Sequence, residues 1–125
     1  MKKILVGLIC LTILACKSQH INLTGKYDFV IDNKMVGTLT LQQNNEGQLT
    51  GFLSYDRIGD NRRTEVYQVK GFTYYDSKPK KHKVGIIVYK NQYSGYASDS
   101  NSIIGTWIRS EDQSSHEWMA IKKQN

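Results

Sequence analysis

From Thr24 onward the sequence alternates polar and apolar residues with a period of two, and this pattern is the strongest constraint on its fold. The alternation is broken only by short runs rich in β-branched and aromatic residues, and no long window carries apolar residues at helical spacing. Because successive side chains of a strand point to opposite faces, this periodicity is typical of half-buried strands. The sequence therefore predicts an all-β chain.

Turn-forming residues divide the alternating region into candidate strands. Clusters of Asn, Asp, Gly and Ser, together with the single Pro, stand between most of the alternating runs and indicate turns. The predicted strands are 24–31, 35–43, 48–56, 63–73, 82–90, 93–98, 103–110 and 115–123.

The short connections between these strands favour antiparallel neighbours, since a parallel pair needs a crossover of a dozen or more residues. An eight-stranded meander can remove its exposed edges by closing on itself. With 125 residues, the chain has room for one such domain. We therefore expect an eight-stranded antiparallel up-and-down meander barrel, with an open sandwich as the alternative.

The N-terminus has the pattern of an export signal. Lys2 and Lys3 precede residues 4–15, which are apolar or small with one exception and too few to span a bilayer as a helix. Residues 13–16 read Ile-Leu-Ala-Cys and resemble the lipobox of bacterial lipoproteins, which implies that Cys16 is acylated. An ordinary signal peptide that leaves a free thiol is the alternative.

This resemblance implies a division of the chain into a signal peptide at 1–15, a tether at 16–23 and a β-barrel domain at 24–125. It also implies a lipid-anchored protein of the cell envelope, held at the outer membrane through the lipid on Cys16. Two or more acyl chains would anchor the protein firmly.

The charge pattern argues against nucleic-acid binding. Loss of Lys2 and Lys3 lowers the formal net charge from +6 to +4, and the positive residues do not form the continuous stripe of a nucleic-acid binder. Residues 78–83 form the one basic run. That run is either a solvated loop or a contact for anionic lipid or glycan.

No catalytic or metal-binding constellation stands out. The three histidines, His20, His82 and His116, show no metal-ligand spacing, and the glycines are too dispersed for a phosphate loop. Nothing in the sequence brings two carboxylates together for acid-base chemistry. We therefore expect a protein that is not an enzyme and that uses no cofactor or metal.

Five fragments carry a family resemblance that covers nearly all of residues 23 to 123. They are LTGKY at 23–27, LTGF at 49–52, VYKNQY at 88–93, GTWIRS at 105–110 and EWMA at 117–120. In this order they resemble motifs of the avidin and streptavidin family. The resemblance implies an avidin-like barrel with a ligand pocket at one mouth.

The resemblance also implies which residues line that pocket. Four aromatic residues match or replace family aromatics, and two serines stand where family hydroxyls meet the carboxylate of biotin. Tyr55 lies two residues beyond the position of a family tyrosine, on the same face of its strand, and is a displaced substitute for it. The candidate ligand-binding residues are Tyr27, Asn33, Tyr55, Tyr89, Ser98, Ser100, Trp107 and Trp118. The alternative is that the aromatic rings fill the barrel core and the serines form a turn.

Tight biotin binding is not expected. By family spacing, the Asn, Ser and Tyr that hold the ureido oxygen fall on Phe29, Asn33 and Leu53. Each polar group of biotin buried without a partner costs about 1–3 kcal/mol. The lost partners therefore argue for a different ligand.

These observations predict a binding protein for a small-molecule or extended, glycan-like ligand, with Tyr55, Tyr89 and Trp107 as pocket walls. The alternative is a protein-binding module, such as an inhibitor or an immunity-type envelope lipoprotein, that presents exposed tyrosines at Tyr74, Tyr75, Tyr93 and Tyr96.

Strand 103–110 also bears on assembly. A barrel that takes Trp107 inward turns Ile104 and Ile108 outward. Exposed apolar faces usually mark contacts. We expect this strand to help form a homo-oligomer.

Overall fold

The computed structural model describes residues 21–56 and 64–124, and within this part of the chain the fold is all-β. The predicted signal peptide at 1–15, the lipidation site Cys16 and most of the tether at 16–23 lie outside the described residues.

Eight antiparallel strands form a closed barrel in which each strand pairs with its neighbours in the sequence and β1 pairs with β8. This confirms the predicted fold class. The strands are β1 (Gly25–Ile31), β2 (Lys34–Gln43), β3 (Gln48–Asp56), β4 (Thr64–Asp76), β5 (Lys81–Val88), β6 (Asn91–Asp99), β7 (Ser102–Ile108) and β8 (Ser115–Lys122).

The strand bounds differ from the prediction most clearly around Tyr89. The predicted strand 82–90 ends earlier, at Val88, because Tyr89 has a φ of 57° and forms a two-residue turn with Lys90. A positive φ is incompatible with an extended strand. The prediction was also wrong at the end of β4, which continues to Asp76.

Aromatic rings fill the middle of the barrel. The ring of Tyr93 lies 5.4 Å from Phe29 and 5.7 Å from Trp118, both with edge-to-face geometry. Such pairs are worth about 0.5–1.5 kcal/mol beyond their area burial. Further apolar side chains complete this core: Leu23, Tyr27, Leu39, Leu41, Leu49, Leu53, Val69, Val84, Ile86, Val88, Ala97, Ile103, Trp107 and Ala120.

One end of the barrel is closed by the segment that precedes β1, and we call it the sealed end. Leu23 is fully buried there, and the Tyr27 hydroxyl lies 2.9 Å from its carbonyl oxygen and 3.0 Å from that of Ser100. Gln43 holds the same segment, since it accepts from the Leu23 N–H and donates to the Ile21 carbonyl oxygen.

The connections between strands alternate between the sealed end and the opposite end, which we call the open end. The sealed end carries the connections 44–47, 77–80 and 100–101. The described connections of the open end are 32–33, 89–90 and 109–114.

The outer face of β7 has the predicted orientation. Trp107 points inward, and the side chains of Ile104 and Ile108 are 60% and 58% exposed. Pairing of subunits through this face stays a prediction.

Trp118 is fixed by the backbone of two neighbouring strands. Its indole Nε1 donates to the carbonyl oxygens of Ser94 at 3.1 Å and Thr106 at 3.2 Å. This packing depends on Gly105, because a Cβ atom there would overlap the Ser94 carbonyl oxygen and lie 2.7 Å from the Trp118 Nε1.

We expect Gly105→Ala to lower the free energy of unfolding by about 1–3 kcal/mol, because the added methyl group forces the indole or the backbone to move. Urea unfolding measures the change. Thr106→Ala, at the exposed neighbouring position, is the matched control. Equal stability of the two variants would contradict this account of Gly105.

Burial raises the pKa of Tyr27 to about 12. The stability that this hydroxyl contributes is therefore fully present below its ordinary pKa of 10.0 and is lost as the pH rises toward 12. We expect the melting temperature to fall across this interval, and to fall less steeply in Tyr27→Phe, which has no phenol to ionise. Parallel curves for the two proteins would show that Tyr27 does not control this loss.

Candidate functional site

A cavity of about 580 Å³ opens at the open end of the barrel. It lies above the aromatic core, so that the barrel is filled in its middle and hollow at one mouth. Its lining residues are Ile31, Asp32, Lys34, Val36, Tyr55, Asn91, Tyr93, Trp107, Arg109, Ser110, Glu111 and His116.

Tyr93 belongs to the lining of this mouth cavity and forms its floor toward the core. The Tyr93 side chain is only 2% exposed, and burial raises its pKa far above the ordinary value. A hydrogen bond with Tyr55 raises this pKa further, whereas one with Asn91 lowers it. The hydroxyl therefore stays protonated at neutral pH and provides hydrogen-bonding capacity below the mouth.

Trp107 forms one wall of the mouth cavity. Its indole lies between two other rings, 5.1 Å from Tyr93 and 5.2 Å from His116, and the His116 ring stacks on it at an interplanar angle of 29°. The Trp107 Nε1 is buried and has no hydrogen-bond partner among the described residues. Such a donor costs free energy in the folded protein.

His116 joins two connections at the rim. Its Nδ1 lies 2.6 Å from Asp32 Oδ2, and its Nε2 lies 2.7 Å from Ser114 Oγ. The Glu117 N–H donates to Asp32 Oδ1 at 3.1 Å. This network, the rim latch, ties the connection between β1 and β2 to the start of β8.

The rim latch has the Ser-His-Asp order of a hydrolase triad, but its hydrogen bonds have a different arrangement. Ser114 Oγ also lies 2.6 Å from Asp112 Oδ1, and the same carboxylate oxygen accepts the Ser114 N–H at 3.0 Å. A hydroxyl donates one proton, and a carboxylate is a stronger acceptor than a neutral imidazole nitrogen. The Ser114 proton is therefore directed to Asp112 and not to His116, which is typical of a structural contact.

Charges of both signs surround the cavity. Asp32 is engaged by His116, whereas the cations Lys34 and Arg109 form no ion pair within the described part of the chain. The charge of Arg109 contributes to lowering the pKa of Asp112, after the two hydrogen bonds from Ser114. The cavity lining therefore offers the cations Lys34 and Arg109, as well as the carboxylate of Glu111, to the polar groups of a ligand.

Two smaller cavities continue from the mouth along the outside of the rim. The first, of about 420 Å³, shares Tyr55, Asn91 and Glu111 with the mouth cavity. The second, of about 380 Å³, shares Tyr67 and Tyr89 with the first. Ring contacts of 5.7 Å between Tyr55 and Tyr67, and of 6.0 Å between Tyr67 and Tyr89, make this surface an aromatic path.

The structure divides the predicted site residues between the two ends. Tyr55 and Trp107 line the mouth cavity together. Tyr89 lies on the adjoining aromatic path, and Asn33 lies in the connection between β1 and β2, next to Asp32 of the lining.

The other predicted residues lie elsewhere. Trp118 is buried in the core below the mouth, and Tyr27 belongs to the sealed end. Ser98, near the end of β6, and Ser100, in the next connection, also lie at the sealed end, away from Tyr55 and Trp107.

Several lining residues were missed from the sequence. Tyr93, on β6, and Arg109, just beyond β7, have the inward parity of their strands, and this signal was available for both. Asp32 and His116 gave no local signal, because their contact joins positions 84 residues apart.

No protein family, curated protein or solved structure matches the chain. Within residues 21–56 and 64–124, no helix is long and apolar enough to cross a membrane. The same residues contain no group of three or more His, Cys, Asp or Glu side chains that could hold a metal ion.

The pKa of Asp32 is lowered first by its hydrogen bond with His116 and then by the Glu117 N–H. Its contribution to the rim latch is therefore present above the ordinary pKa of 3.8 and is lost as the pH falls through the lower folded value. Carbon-13 NMR titration should show a pKa of Asp32 below 3.8 that rises in His116→Gln. Ser115→Ala is the control, and an unchanged Asp32 pKa in His116→Gln would rule out this cause.

Proposed function

We propose that the protein is a lipid-anchored cell-envelope β-barrel that binds a small or extended ligand at its open end. The observation that carries this proposal is the mouth cavity, which is lined by Tyr55 and Trp107 and stands above a packed core. A concave site with aromatic walls and a few polar groups is the usual form of a small-molecule site.

The lining favours a ligand with a flat or apolar body and polar substituents. Trp107 and Tyr55 offer ring surface, Ile31 and Val36 offer apolar contact, and Asn91 offers both a donor and an acceptor. The aromatic path through Tyr67 and Tyr89 gives an extended, glycan-like ligand further surface beyond the mouth.

An avidin-like relationship remains part of this proposal. The closed up-and-down barrel is compatible with it. The positions that correspond to the ureido-binding Asn and Tyr are Phe29 and Leu53, both fully buried in the core. We therefore do not propose high-affinity binding of biotin.

The alternative function, a protein-binding module, is supported by the outer wall of β4. Phe72 and Tyr74 stack there with a centroid distance of 5.9 Å, and about half of each side chain is exposed. Of the tyrosines predicted to form such a surface, Tyr93 is buried beneath the mouth. We therefore favour ligand binding at the mouth.

Calorimetry of the protein against biotin and a panel of envelope glycan fragments tests the proposal. For any fragment that binds, we expect Trp107→Ala to weaken the affinity roughly tenfold to a hundredfold, because an indole wall of about 1.5–3 kcal/mol is lost. Trp107→Phe keeps a ring in the cavity and should lose less.

Tyr74→Ala is the matched control, since Tyr74 lies on the outer wall and not in the cavity. Unchanged affinity in Trp107→Ala would remove Trp107 from the site. A loss confined to Tyr74→Ala would locate fragment binding on the outer wall of β4 and would contradict a site at the mouth.

A further inference from the structure

We propose that the sealed end of the barrel faces the membrane and that its lysines contact anionic phospholipid headgroups, so that the mouth cavity faces away. The inference rests on the lipid attachment at Cys16 proposed above. It adds an orientation and a lipid-contact surface that ligand binding at the mouth does not require.

The first observation is where the chain enters the barrel. The segment before β1 is fixed across the sealed end, with Leu23 buried under the Tyr27 hydroxyl and Ile21 held by Gln43. The lipid-bearing end of the chain therefore approaches the barrel from this side.

The second observation is the length of chain that remains. Ile21 follows Cys16 by five residues, and a fully extended chain spans at most about 3.3–3.6 Å per residue, or roughly 18 Å for this segment. A lipid on Cys16 thus keeps the sealed end within that distance of the bilayer surface.

The third observation is the charge of the sealed end. The described residues of this end are those of its connections, those of the adjoining chain ends, and the two residues of each strand that lie nearest to it. They include six lysines and three carboxylates. The lysines are Lys26, Lys78, Lys80, Lys81, Lys122 and Lys123, and the carboxylates are Glu46, Asp76 and Asp99.

The lysines are available to a surface in front of this end. Lys26, Lys78, Lys80 and Lys81 are exposed. Lys123 is paired with Asp28 on β1 and contributes less.

The open end has a different balance. Its described connections and strand ends hold the cations Lys34, Lys90 and Arg109, and the carboxylates include Asp32, Glu65, Glu111 and Asp112. The sequence 57–63, which joins β3 to β4, adds three arginines and one aspartate, so this end shows no excess of positive charge comparable to that of the sealed end.

Because salt screens charges, the attraction between the lysines and the bilayer depends on which end of the barrel faces the membrane. The negative potential of an anionic bilayer attracts lysines only within about one Debye length, roughly 8–10 Å at physiological salt. A strand rises about 3.3 Å per residue, so the seven to thirteen residues of these strands keep the open end beyond that range. Only the sealed end, which the tether holds close, can use this attraction.

Lysine labelling on vesicles tests the proposal with the full chain. The protein is expressed in a bacterium that attaches the lipid, and is reconstituted in vesicles of phosphatidylcholine alone or of equal parts phosphatidylcholine and phosphatidylglycerol. An amine-acetylating reagent is added, and mass spectrometry gives the rate at each lysine. We expect Lys78, Lys80 and Lys81 to react several-fold more slowly on the anionic vesicles, with Lys34 and Lys90 unchanged.

Two charge-neutralised variants sharpen the result. The triple variant K78Q/K80Q/K81Q should lose the lipid-dependent protection of Lys26 and Lys122, and the matched open-end variant K34Q/K90Q should keep it. High salt should remove the protection in the unaltered chain.

Equal labelling of both ends on both vesicles, or protection of Lys34 and Lys90 instead, would overturn the orientation. Protection of the sealed end that does not depend on phosphatidylglycerol would point to a protein contact, and would overturn the lipid contact. A chain that associates with neither vesicle would overturn the lipid attachment and this inference with it. Ligand binding at the mouth is judged separately, by the calorimetry with Trp107→Ala.

Discussion

The pairing of β1 with β8 is the constraint on which the rest of the structure depends. The register from Tyr27–Lys122 to Ile31–Trp118 closes the sheet, so that each of the eight described strands is paired on both sides. Closure turns one face of every strand inward, so the inward side chains must fill a narrow cylinder. Rings such as Phe29, Tyr93 and Trp118 do this in the middle of the barrel, and the space they leave at one end is the mouth cavity.

The sealed end and the open end of the barrel differ in which segments of the chain cross them. At the sealed end, the segment before β1 adds Leu23 to the core and fastens it to Tyr27 and Gln43. At the open end, the rim latch fastens one connection to the start of β8, and the described residues leave a cavity beside it. The position of the mouth cavity and the side from which the chain enters the barrel thus follow from one asymmetry along the barrel axis.

Alternation and turn residues were enough to predict eight antiparallel strands, because both are local signals. Closure into a barrel was an expectation from the short connections, with an open sandwich as the alternative, and the structure shows the barrel. The same parity predicted that Tyr55 and Trp107 point inward, and the structure places both in one cavity. Family spacing was less reliable for Ser98, because β6 starts at the open end and runs away from it, so that Ser98 near the end of this strand lies at the sealed end. Contacts such as Asp32 with His116 depend on how distant strands meet, which no local pattern encodes.

Closure of one end of the barrel also affects how a ligand would enter and leave the mouth cavity. In the described part of the chain, a compound resting against Tyr93 would enter and leave through the open end, since Leu23 and Tyr27 close the other. Its arrival and departure would pass the same ring of residues, so that a change at the rim, such as a shift of the His116 imidazole against the Trp107 indole, would slow or speed both together. The residence time of such a compound would then depend on the barrier at the rim as well as on its contacts inside the cavity.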